Sequence, residues 1–300
     1  MKKPKVYIDG QAGTTGLQIY ERLKNRDDIE LLLIDEEKRK DQKERKKLFE
    51  EADLSFLCLP DQAAIEAVEL AQGSNTKIID ASTAHRTVWT YGFPELSKAH
   101  REKIRQAKYV ANPGCHATGF ISIVYPLIQA NIFDKSQRIH AFSLTGYSGG
   151  GKKMIQQYEN QKTNELYAPR IYGLSMDHKH LPEMKKICGL AKEPLFNPIV
   201  DDYYNGMIVS IQVEANKEAL LNVYQTAYQQ ELNIEVVDGE ASMISANEMK
   251  DSDRLKIYVN GNAEACIVSA VFDNLGKGAC GAAIQNMNLM LGIEEYKGLR

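Results

Sequence analysis

A cysteine placed directly after a Pro-Gly turn is the feature of this sequence that points most clearly to chemistry. Pro113 and Gly114 end an apolar segment, and Cys115 stands just before the run 117–124, whose residues favour a helix. A thiol at a helix N-terminus faces unpaired backbone N–H groups and the positive end of the helix dipole, which favour the thiolate. The pattern therefore predicts a nucleophile at Cys115. The alternative is a buried cysteine that packs as a small apolar residue.

A glycine-rich turn near the N-terminus indicates a second kind of site. The apolar segment 5–9 is predicted to be a buried strand and the segment 17–24 an amphipathic helix. A glycine turn between a strand and a helix binds a dinucleotide pyrophosphate, because the phosphates can approach backbone N–H donors there. The glycine spacing, G-x-x-G-x-x-G, departs from the usual G-x-G-x-x-G, so a tight turn without a ligand is the alternative. The expected cofactor contacts in this turn are Gly10, Gly13, Thr14, Thr15 and Gly16.

Apolar strands alternate with helical segments along the first third of the chain. The predicted elements are strands at 30–35, 54–59 and 77–80 and a helix at 62–72. This alternation is typical of an α/β fold with a Rossmann-type, doubly wound parallel sheet, whose ligands bind at the carboxyl ends of the strands. Pro60, Ser82 and Cys115 each follow a strand end. We therefore expect them to line one crevice, with Pro60 and Ser82 near the cofactor.

Residues just after the second predicted strand bear on the choice of nicotinamide cofactor. Asp35 stands 19 residues after Gly16, near the position from which an acidic residue accepts a hydrogen bond from the NAD ribose. Arg39 and Lys40 follow it, and their charges suit the 2′-phosphate of NADP. We therefore expect NADP(H), with Arg39 and Lys40 among its ligands. The charged run 43–47 is expected to be a solvated helix face.

Two further loops carry groups that suit an anionic ligand. Arg86 closes the loop after the strand at 77–80, where a guanidinium could hold a phosphate or carboxylate through two hydrogen bonds. The glycine-rich loop 145–152 follows a predicted strand at 139–144. It lacks the spacing of an ATP-binding phosphate loop, and it is either a flexible turn or a set of donors for an anionic substrate. Its candidate substrate ligands are Ser148, Gly149 and Lys152.

Two histidines in the middle of the chain, His178 and His180, are candidates for proton transfer. Residues two apart in an extended segment point the same way, so we expect the two imidazoles to lie side by side. With Cys115 they would provide acid–base catalysis, His180 first and His178 second, oriented by Glu183. The alternatives are an exposed histidine pair and a metal site that includes Glu183. No metal is expected, because a third strong ligand at suitable spacing is lacking.

The later segments predict a second, α+β domain with a mixed or antiparallel sheet. The segments 206–213 and 265–272 are long, alternating and rich in β-branched residues, as strands are. Helices are expected at 217–230 and at 280–291, the latter buried and returning to the nucleotide-binding domain. The expected domains are 1–114 for the cofactor, 115–275 for catalysis, substrate binding and oligomerisation, and 276–300 for the returning C-terminal helix.

Composition excludes several classes of function. The net charge of −3 provides no general basic surface for nucleic acid, and no apolar run reaches membrane-spanning length. The five cysteines are odd in number and include no Cys-x-x-Cys pair, which argues against a disulfide framework or a zinc site. The N-terminal residues lack a signal-peptide pattern. We therefore expect a cytoplasmic protein that binds neither nucleic acid nor membrane.

The motifs taken together resemble those of N-acetyl-γ-glutamyl-phosphate reductases. The resemblance rests on the turn 112–115, the N-terminal glycine turn, the histidine pattern 178–183 and the string 277–281 near the C-terminus. The strings 80–86 and 91–96 resemble the shorter of the two subtypes of that family. The resemblance extends over nearly the whole chain. Aspartate-semialdehyde dehydrogenases are similar in fold and cysteine chemistry, but their histidine motif differs.

This resemblance implies a reductive step of arginine biosynthesis. Cys115 would attack N-acetyl-γ-glutamyl phosphate and release inorganic phosphate, and NADPH would reduce the resulting thioester to N-acetylglutamate semialdehyde. Arg86 and Asn112 would contact the substrate, and the enzyme would be a homo-oligomer, either a dimer or a tetramer. Two alternatives stay open. One is reduction of aspartyl phosphate or another amino-acid acyl phosphate, and the other is a non-catalytic, nucleotide-sensing protein with the same fold.

Overall fold

The computed structural model describes residues 2–300. The strands are β1 (Lys5–Asp9), β2 (Glu30–Leu32), β3 (Leu54–Leu57), β4 (Lys77–Asp80), β5 (Thr90–Tyr91), β6 (Tyr109–Ala111), β7 (His140–Gly146), β8 (Arg170–Ile171), β9 (Leu195–Asp201), β10 (Met207–Val213), β11 (Ile234–Asp238), β12 (Leu255–Gly261) and β13 (Cys266–Phe272). The helices are α1 (Thr14–Leu23), α2 (Gln42–Glu51), α3 (Asp61–Leu70), α4 (Lys98–Gln106), α5 (Cys115–Gln129), α6 (Gly151–Asn160), α7 (Leu181–Cys188), α8 (Lys217–Tyr228) and α9 (Gly281–Leu291). Among these helices, none combines the length and the hydrophobicity that crossing a membrane requires.

The first of two compact units contains the chain up to Pro113 together with Ala279–Leu299. Its six-stranded sheet has the order β2-β1-β3-β4-β6-β5, and every neighbouring pair is parallel. Successive residues of β1 and β3 point into separate apolar clusters, one packed with α1, α4 and α9 and the other with α2 and α3. Helices therefore cover both faces. The predicted Rossmann-type sheet is confirmed.

Strand β2 is shorter than the sequence predicted. It ends at Leu32, three residues before the expected end, and pairs only with β1. As an edge strand, β2 has only one neighbouring strand. Its pairing partners in β1 are the three residues Lys5 to Tyr7. The next side chain, Leu33, is 56% exposed. The chain therefore leaves the sheet early and turns toward the charged segment that follows.

The second unit contains Gly114–Gly278 and Arg300. Its seven-stranded sheet has the order β11-β12-β13-β10-β7-β9-β8, in which β7–β9 and β11–β12 are parallel and the other pairs antiparallel. Helices α5 and α8 pack against it. A Cβ at Gly119 would lie 2.5 Å from Val209 Cγ2, so glycine lets α5 approach the sheet closely. The predicted mixed-sheet α+β domain is confirmed.

Arg45 departs from the solvated helix face predicted for 43–47. Its Nη2 donates to Asp9 Oδ2 at 2.7 Å, and Asp9 is buried at the end of β1. The hydroxyl of Tyr7 donates to the other oxygen of the same carboxylate at 3.3 Å. The charge-assisted bond between Arg45 and Asp9 attaches α2 to β1. One member of the charged run is therefore structural, because its partner lies inside the sheet.

We expect Arg45→Met to lower the free energy of unfolding by roughly 3 kcal/mol, because it leaves the buried Asp9 carboxylate without its ion-pair partner. Urea unfolding followed by far-UV circular dichroism measures this loss. Lys46→Met, which removes an exposed cation from the same helix, should cost less than about 0.5 kcal/mol. The double variant Arg45→Met with Asp9→Asn should recover most of the loss. Equal losses at Arg45 and Lys46 would contradict the assignment.

Candidate active site

Cys115 is the first residue of α5 and is half-buried. Gly114 caps this helix in an extended conformation without a side-chain hydrogen bond, and the first turn of α5 holds no acidic residue. Backbone N–H groups at the start of the helix therefore lie beside the thiol. A Cβ at Gly278 would lie 3.0 Å from Cys115 Cβ, so glycine leaves room next to the sulfur-bearing side chain. The local geometry suits a nucleophile.

Glu183 holds the residue before the cysteine. The N–H of Gly114 donates to Glu183 Oε2 at 3.2 Å, and the carboxylate is buried. Glu183 lies in the first turn of α7, so this bond joins the N-termini of α7 and α5. A carboxylate is stabilised near the positive end of a helix dipole. The sequence predicted that Glu183 orients a histidine. It did not predict the hydrogen bond from Gly114 at the start of α5.

His178 and His180 lie together, but the extended segment predicted for them is wrong. His180 is buried at the boundary of α7 with near-helical dihedral angles, φ −90° and ψ −8°. Pro182 favours a helix start here because its fixed φ suits the first turn. The two imidazole centroids are 4.8 Å apart, with their planes at 84°. The N–H of His180 donates to His178 Nδ1 at 3.2 Å, so neutral His178 carries its hydrogen on Nε2.

His116 is a member of this cluster that sequence reasoning missed. Its ring is buried 5.2 Å from that of His178, with Nδ1 2.7 Å from Ser143 Oγ and Nε2 2.5 Å from the Tyr172 hydroxyl oxygen. Burial, with electrostatic repulsion from Lys179 and from His178 when it is protonated as smaller causes, lowers the pKa of His116 well below its ordinary value. The imidazole is therefore neutral.

Across residues 2–300, no group of three or more His, Cys, Asp or Glu side chains is arranged to hold a metal ion.

The glycine turn of the first unit has the shape that a pyrophosphate site needs. Gly10 has φ +89°, and a Cβ there would lie 2.3 Å from a backbone oxygen just after β3. A Cβ at Gly16 would lie 2.4 Å from the Gly10 oxygen. Gly13 caps α1 in an extended conformation without a side-chain hydrogen bond, which leaves the N–H groups of Thr14 and Thr15 for a ligand. The residues present thus fit a dinucleotide.

The other predicted cofactor contacts follow the ends of β3 and β4. Pro60 is exposed and caps α3. Ser82 is buried, and its backbone N–H and hydroxyl both donate to Asp80, at 2.8 and 2.7 Å. Asp80 also lies 2.6 Å from His85 Nδ1, and the His85 ring stacks on Trp89 at 3.9 Å between centroids. The carboxylate thereby orders the loop that contains Ser82.

Arg86 and Asn112, two predicted substrate contacts, touch each other within the first unit. Both are buried. Arg86 Nε donates to the Asn112 carbonyl at 3.0 Å, and its Nη2 donates to the Ala81 carbonyl at 3.2 Å. The Asn112 amide donates to the Ala279 carbonyl at 2.9 Å and accepts from Asn286 Nδ2 at 3.2 Å. The structure therefore fixes the position of both side chains.

The glycine-rich loop of the second unit is an ordered turn between β7 and α6. Ser148 is buried, its N–H donates to the Tyr204 carbonyl at 3.0 Å, and its Oγ accepts from Asn274 Nδ2 at 3.0 Å. Gly149 is exposed, and Lys152 is an exposed residue in the first turn of α6. Of the two alternatives for this loop, a flexible turn does not describe Ser148, whose backbone and side chain are both hydrogen-bonded. Two hydrogen bonds hold Ser148 in place, whereas Lys152 is exposed to solvent.

Arg39 and Lys40 are exposed just after a short 3-10 turn, Glu36–Lys38. Arg39 Nη1 lies 3.1 Å from Glu36 Oε1. The Asp35 side chain is 80% exposed, and its carboxylate lies 3.8 Å from Lys38 Nζ. This segment therefore carries both signs of charge, paired weakly at the surface.

Two sequence profiles of the semialdehyde dehydrogenase group match the chain. The NAD binding domain matches residues 5–107, and the dimerisation domain matches residues 115–274. The chain is 46% identical, over the full length of both proteins, to an N-acetyl-gamma-glutamyl-phosphate reductase of Trichormus variabilis. It is 44% identical to one of Sinorhizobium medicae, covering 96% of this chain and 99% of that protein. The chain belongs to the N-acetyl-gamma-glutamyl-phosphate reductase family.

Solved semialdehyde dehydrogenases share the fold of this reductase family member. Aspartate semialdehyde dehydrogenase II from Vibrio cholerae superposes with a TM-score of 0.74 at 16% identity, covering 97% of this chain and 99% of that one. The Candida albicans enzyme, solved with NADP, gives 0.68 at 14% identity, covering 97% and 99%. At these identities the likeness concerns the fold alone. The family assignment rests on the reductase relatives.

We expect the reductase to lose stability below about pH 6.5 because of His116. In the unfolded chain this histidine takes up a proton near pH 6.5, whereas in the folded protein it does so only at lower pH. The free energy of unfolding therefore falls as the pH falls from 6.5 toward the folded-state pKa, by up to about 1.4 kcal/mol per pH unit. Urea unfolding at several values between about pH 7.5 and pH 5 measures the slope.

Two variants distinguish the contribution of His116 to this pH dependence from the contributions of other titrating groups. His116→Gln lacks the buried imidazole and should show a shallower dependence of unfolding free energy on pH. His140→Gln removes an exposed histidine from the same unit and should keep the original slope. An unchanged slope in His116→Gln would count against a neutral, buried His116.

Proposed function

We propose that this chain catalyses the NADPH-dependent reductive dephosphorylation of N-acetyl-γ-glutamyl phosphate to N-acetylglutamate semialdehyde, a step of arginine biosynthesis. The proposal includes a cytoplasmic location, as predicted from cysteine usage. One observation carries it: Cys115 stands at the uncapped start of α5, and the ring of the next residue, His116, lies 5.2 Å from that of His178 and 5.6 Å from that of His180. A nucleophile beside a proton acceptor suits acyl transfer. The full-length reductase relatives support the choice of substrate.

The chemistry of Cys115 divides the reaction into two steps. The sulfur attacks the carbonyl carbon of the acyl phosphate, a C–S bond forms, the C–O bond to phosphate breaks, and inorganic phosphate leaves. NADPH, when bound, supplies the hydride that reduces the resulting thioester. The electron pair on the carbonyl oxygen then re-forms the C=O bond and expels the Cys115 thiolate, which releases the aldehyde. Backbone N–H groups at the start of α5 stabilise the thiolate in both steps.

We assign the proton acceptor to His180 and a donor role to His178. His178 Nδ1 already accepts the N–H of His180, so its only basic nitrogen in the neutral form is occupied. Its Nε2–H can donate to a substrate oxygen. His180 therefore takes the thiol proton of Cys115 in the first step and returns it in the second. Glu183 keeps the start of α5 in place through Gly114.

Five residues are assigned to the negative groups of the substrate: Arg86, Asn112, Ser148, Gly149 and Lys152. Helix α6 begins without a side-chain cap, so its first N–H groups and the Lys152 charge suit an anion. Arg86 is held by two backbone carbonyls, which keeps its guanidinium pre-oriented.

A nicotinamide dinucleotide fits the first unit, and we propose NADP(H) in preference to NAD. Gly10, Gly13 and Gly16 leave space at the open start of α1 for a pyrophosphate, and Pro60 and Ser82 are assigned further contacts. Arg39 and Lys40 supply positive charge for the 2′-phosphate. The Asp35 carboxylate would repel that phosphate, but Lys38 lies 3.8 Å away and offsets its charge.

We propose that two copies of the chain pair through the sheet of the second unit. On the face opposite α5, Phe142, Ile171 and Ile267 are 43%, 54% and 51% exposed. The pairing registers put all three on that one face. Exposed apolar side chains that share a face are typical of an interface. The profile of a dimerisation domain over 115–274 supports a second copy as the partner.

The reverse reaction tests the proposed activity. N-acetylglutamate semialdehyde, inorganic phosphate and NADP should yield NADPH, faster than with NAD. Cys115→Ser should reduce turnover by on the order of 10³-fold or more, because the nucleophile is lost. Cys188→Ala, which removes a buried thiol in α7, should retain most of the activity.

Three other results would each contradict a part of this proposal. Near wild-type turnover in Cys115→Ser would exclude the thioester mechanism. Faster turnover with aspartate semialdehyde would change the substrate. Cofactor binding with no turnover of any aldehyde tested would favour a nucleotide-sensing protein.

We expect Phe142→Asp to convert the dimer to a monomer, because a carboxylate cannot be buried between two apolar faces without a partner. Sedimentation velocity measures the mass. Leu174→Asp, at a 78% exposed loop position of the same unit, is the matched control and should leave the dimer intact. A wild-type monomer, or a Phe142→Asp variant that stays dimeric, would refute this interface.

A further inference from the structure

Asn274 is a buried residue just after β13 to which the reaction proposed above gives no role. Its Oδ1 accepts the backbone N–H of Gly206 at 2.9 Å, and its Nδ2 donates to Ser148 Oγ at 3.0 Å. Gly206 directly precedes β10, and Ser148 lies in the glycine-rich loop after β7. The amide of Asn274 therefore connects the start of a strand to a residue assigned to the substrate.

The chain around Asn274 is held by the residue before it. The carboxylate of Asp273, which is also buried, accepts the backbone N–H of Leu275 at 2.7 Å and that of Gly276 at 3.1 Å. Hydrogen bonds to a charged acceptor are stronger than those between neutral groups. The backbone that carries the Asn274 amide is therefore fixed on its C-terminal side.

The Gly206 N–H determines how the Asn274 amide is oriented. A backbone N–H can only donate, so the amide oxygen must face it and the amide nitrogen must face Ser148. An amide nitrogen donates and does not accept. The Ser148 oxygen is therefore the acceptor in this bond, and the hydroxyl hydrogen of Ser148 points elsewhere.

No residue among 2–300 accepts the hydroxyl hydrogen of Ser148. The bond from Asn274 is the one hydrogen bond of this hydroxyl within that range, although Ser148 is only 1% exposed. Buried hydroxyls are rarely left without an acceptor. The next residue, Gly149, is exposed, so the loop borders solvent at this point. A bound ligand can therefore supply the acceptor that the protein lacks.

We propose that Asn274 is a positioning residue, which holds the Ser148 hydroxyl as a hydrogen-bond donor to an anionic oxygen of the substrate. The inference rests on the proposed function, which assigns Ser148 to the negative groups of the substrate. Those groups are the acyl phosphate and a carboxylate, and both have oxygen acceptors. Helix α6 begins beside the loop without a side-chain cap, and Lys152 adds a positive charge, so this place favours an anionic acceptor.

Asn274→Asp reverses the hydrogen bond at Ser148. The new carboxylate can only accept, so the Ser148 hydroxyl turns to donate to it and is lost to the substrate. In the reverse reaction with N-acetylglutamate semialdehyde, inorganic phosphate and NADP, we expect one KM to rise about 10- to 100-fold, while kcat changes less than about threefold. A rise in the KM of phosphate assigns Ser148 to the phosphoryl group, and a rise in the KM of the semialdehyde assigns it to the carboxylate.

Two comparisons distinguish this role from charge repulsion and from a loss of stability. In a Ser148→Ala background, Asn274→Asp should change that KM less than about twofold, because the hydroxyl that it redirects is absent. Repulsion between the new carboxylate and an anion would persist in that background. Asn233→Asp is the matched control, since Asn233 is buried before β11, which three strands separate from β7. It should lower the melting temperature without changing either KM.

The inference fails if Asn274→Asp leaves both KM values unchanged, if its effect persists in the Ser148→Ala background, or if Asn233→Asp has the same effect. If Asn274→Asp does not fold, as judged by circular dichroism, Asn274→Ala in both backgrounds decides by the same criteria. A wild-type protein that turns over no aldehyde tested would overturn the proposed function and this inference together. Unchanged KM values in an active Asn274 variant would overturn the inference alone.

Discussion

The buried bond from the Gly114 N–H to the Glu183 carboxylate is the contact on which the catalytic cluster depends. It joins the first turns of α5 and α7, and these turns carry the nucleophile and the proposed proton acceptor. A buried carboxylate that loses its donor costs roughly 1 to 3 kcal/mol or more, so the two helices cannot separate locally without penalty. The residues before Cys115 and after His180 are thus joined by a bond that neither of these two side chains makes.

Helix α5 in turn depends on a side-chain hydrogen bond that replaces a backbone hydrogen bond missing from the helix. Pro126 lies inside α5 and has no N–H, so the carbonyl of Ser122, four residues earlier, loses its helical donor. The Tyr228 hydroxyl from α8 donates to that carbonyl at 2.7 Å. Because the helix is almost wholly buried, water could not replace this donor. Helix α8 therefore stabilises the element that carries Cys115 as well as covering the sheet.

Local sequence signals predicted the sheets, the glycine turn and the helix that starts at Cys115, because strand and helix periodicity and turn residues act over short distances. They did not predict that Arg45 would pair with Asp9, since the pattern of a charged helix does not reveal a partner 36 residues away. The extended geometry expected for His178 and His180 failed because Pro182 begins a helix there. Tyr172 is separated from His116 by 56 residues, and only the tertiary fold brings them together.

The carboxylates at the strand ends of the first unit decide whether an anion can bind beside them. Asp9 would repel a pyrophosphate at the glycine turn, but its charge is paired with the Arg45 guanidinium. Asp80 accepts from the backbone and hydroxyl of Ser82 and lies against His85, so its lone pairs face its own loop. Each carboxylate thus has its partners inside the protein. The uncapped start of α1 remains as the local source of hydrogen-bond donors, which is why this end of the sheet suits a negatively charged dinucleotide.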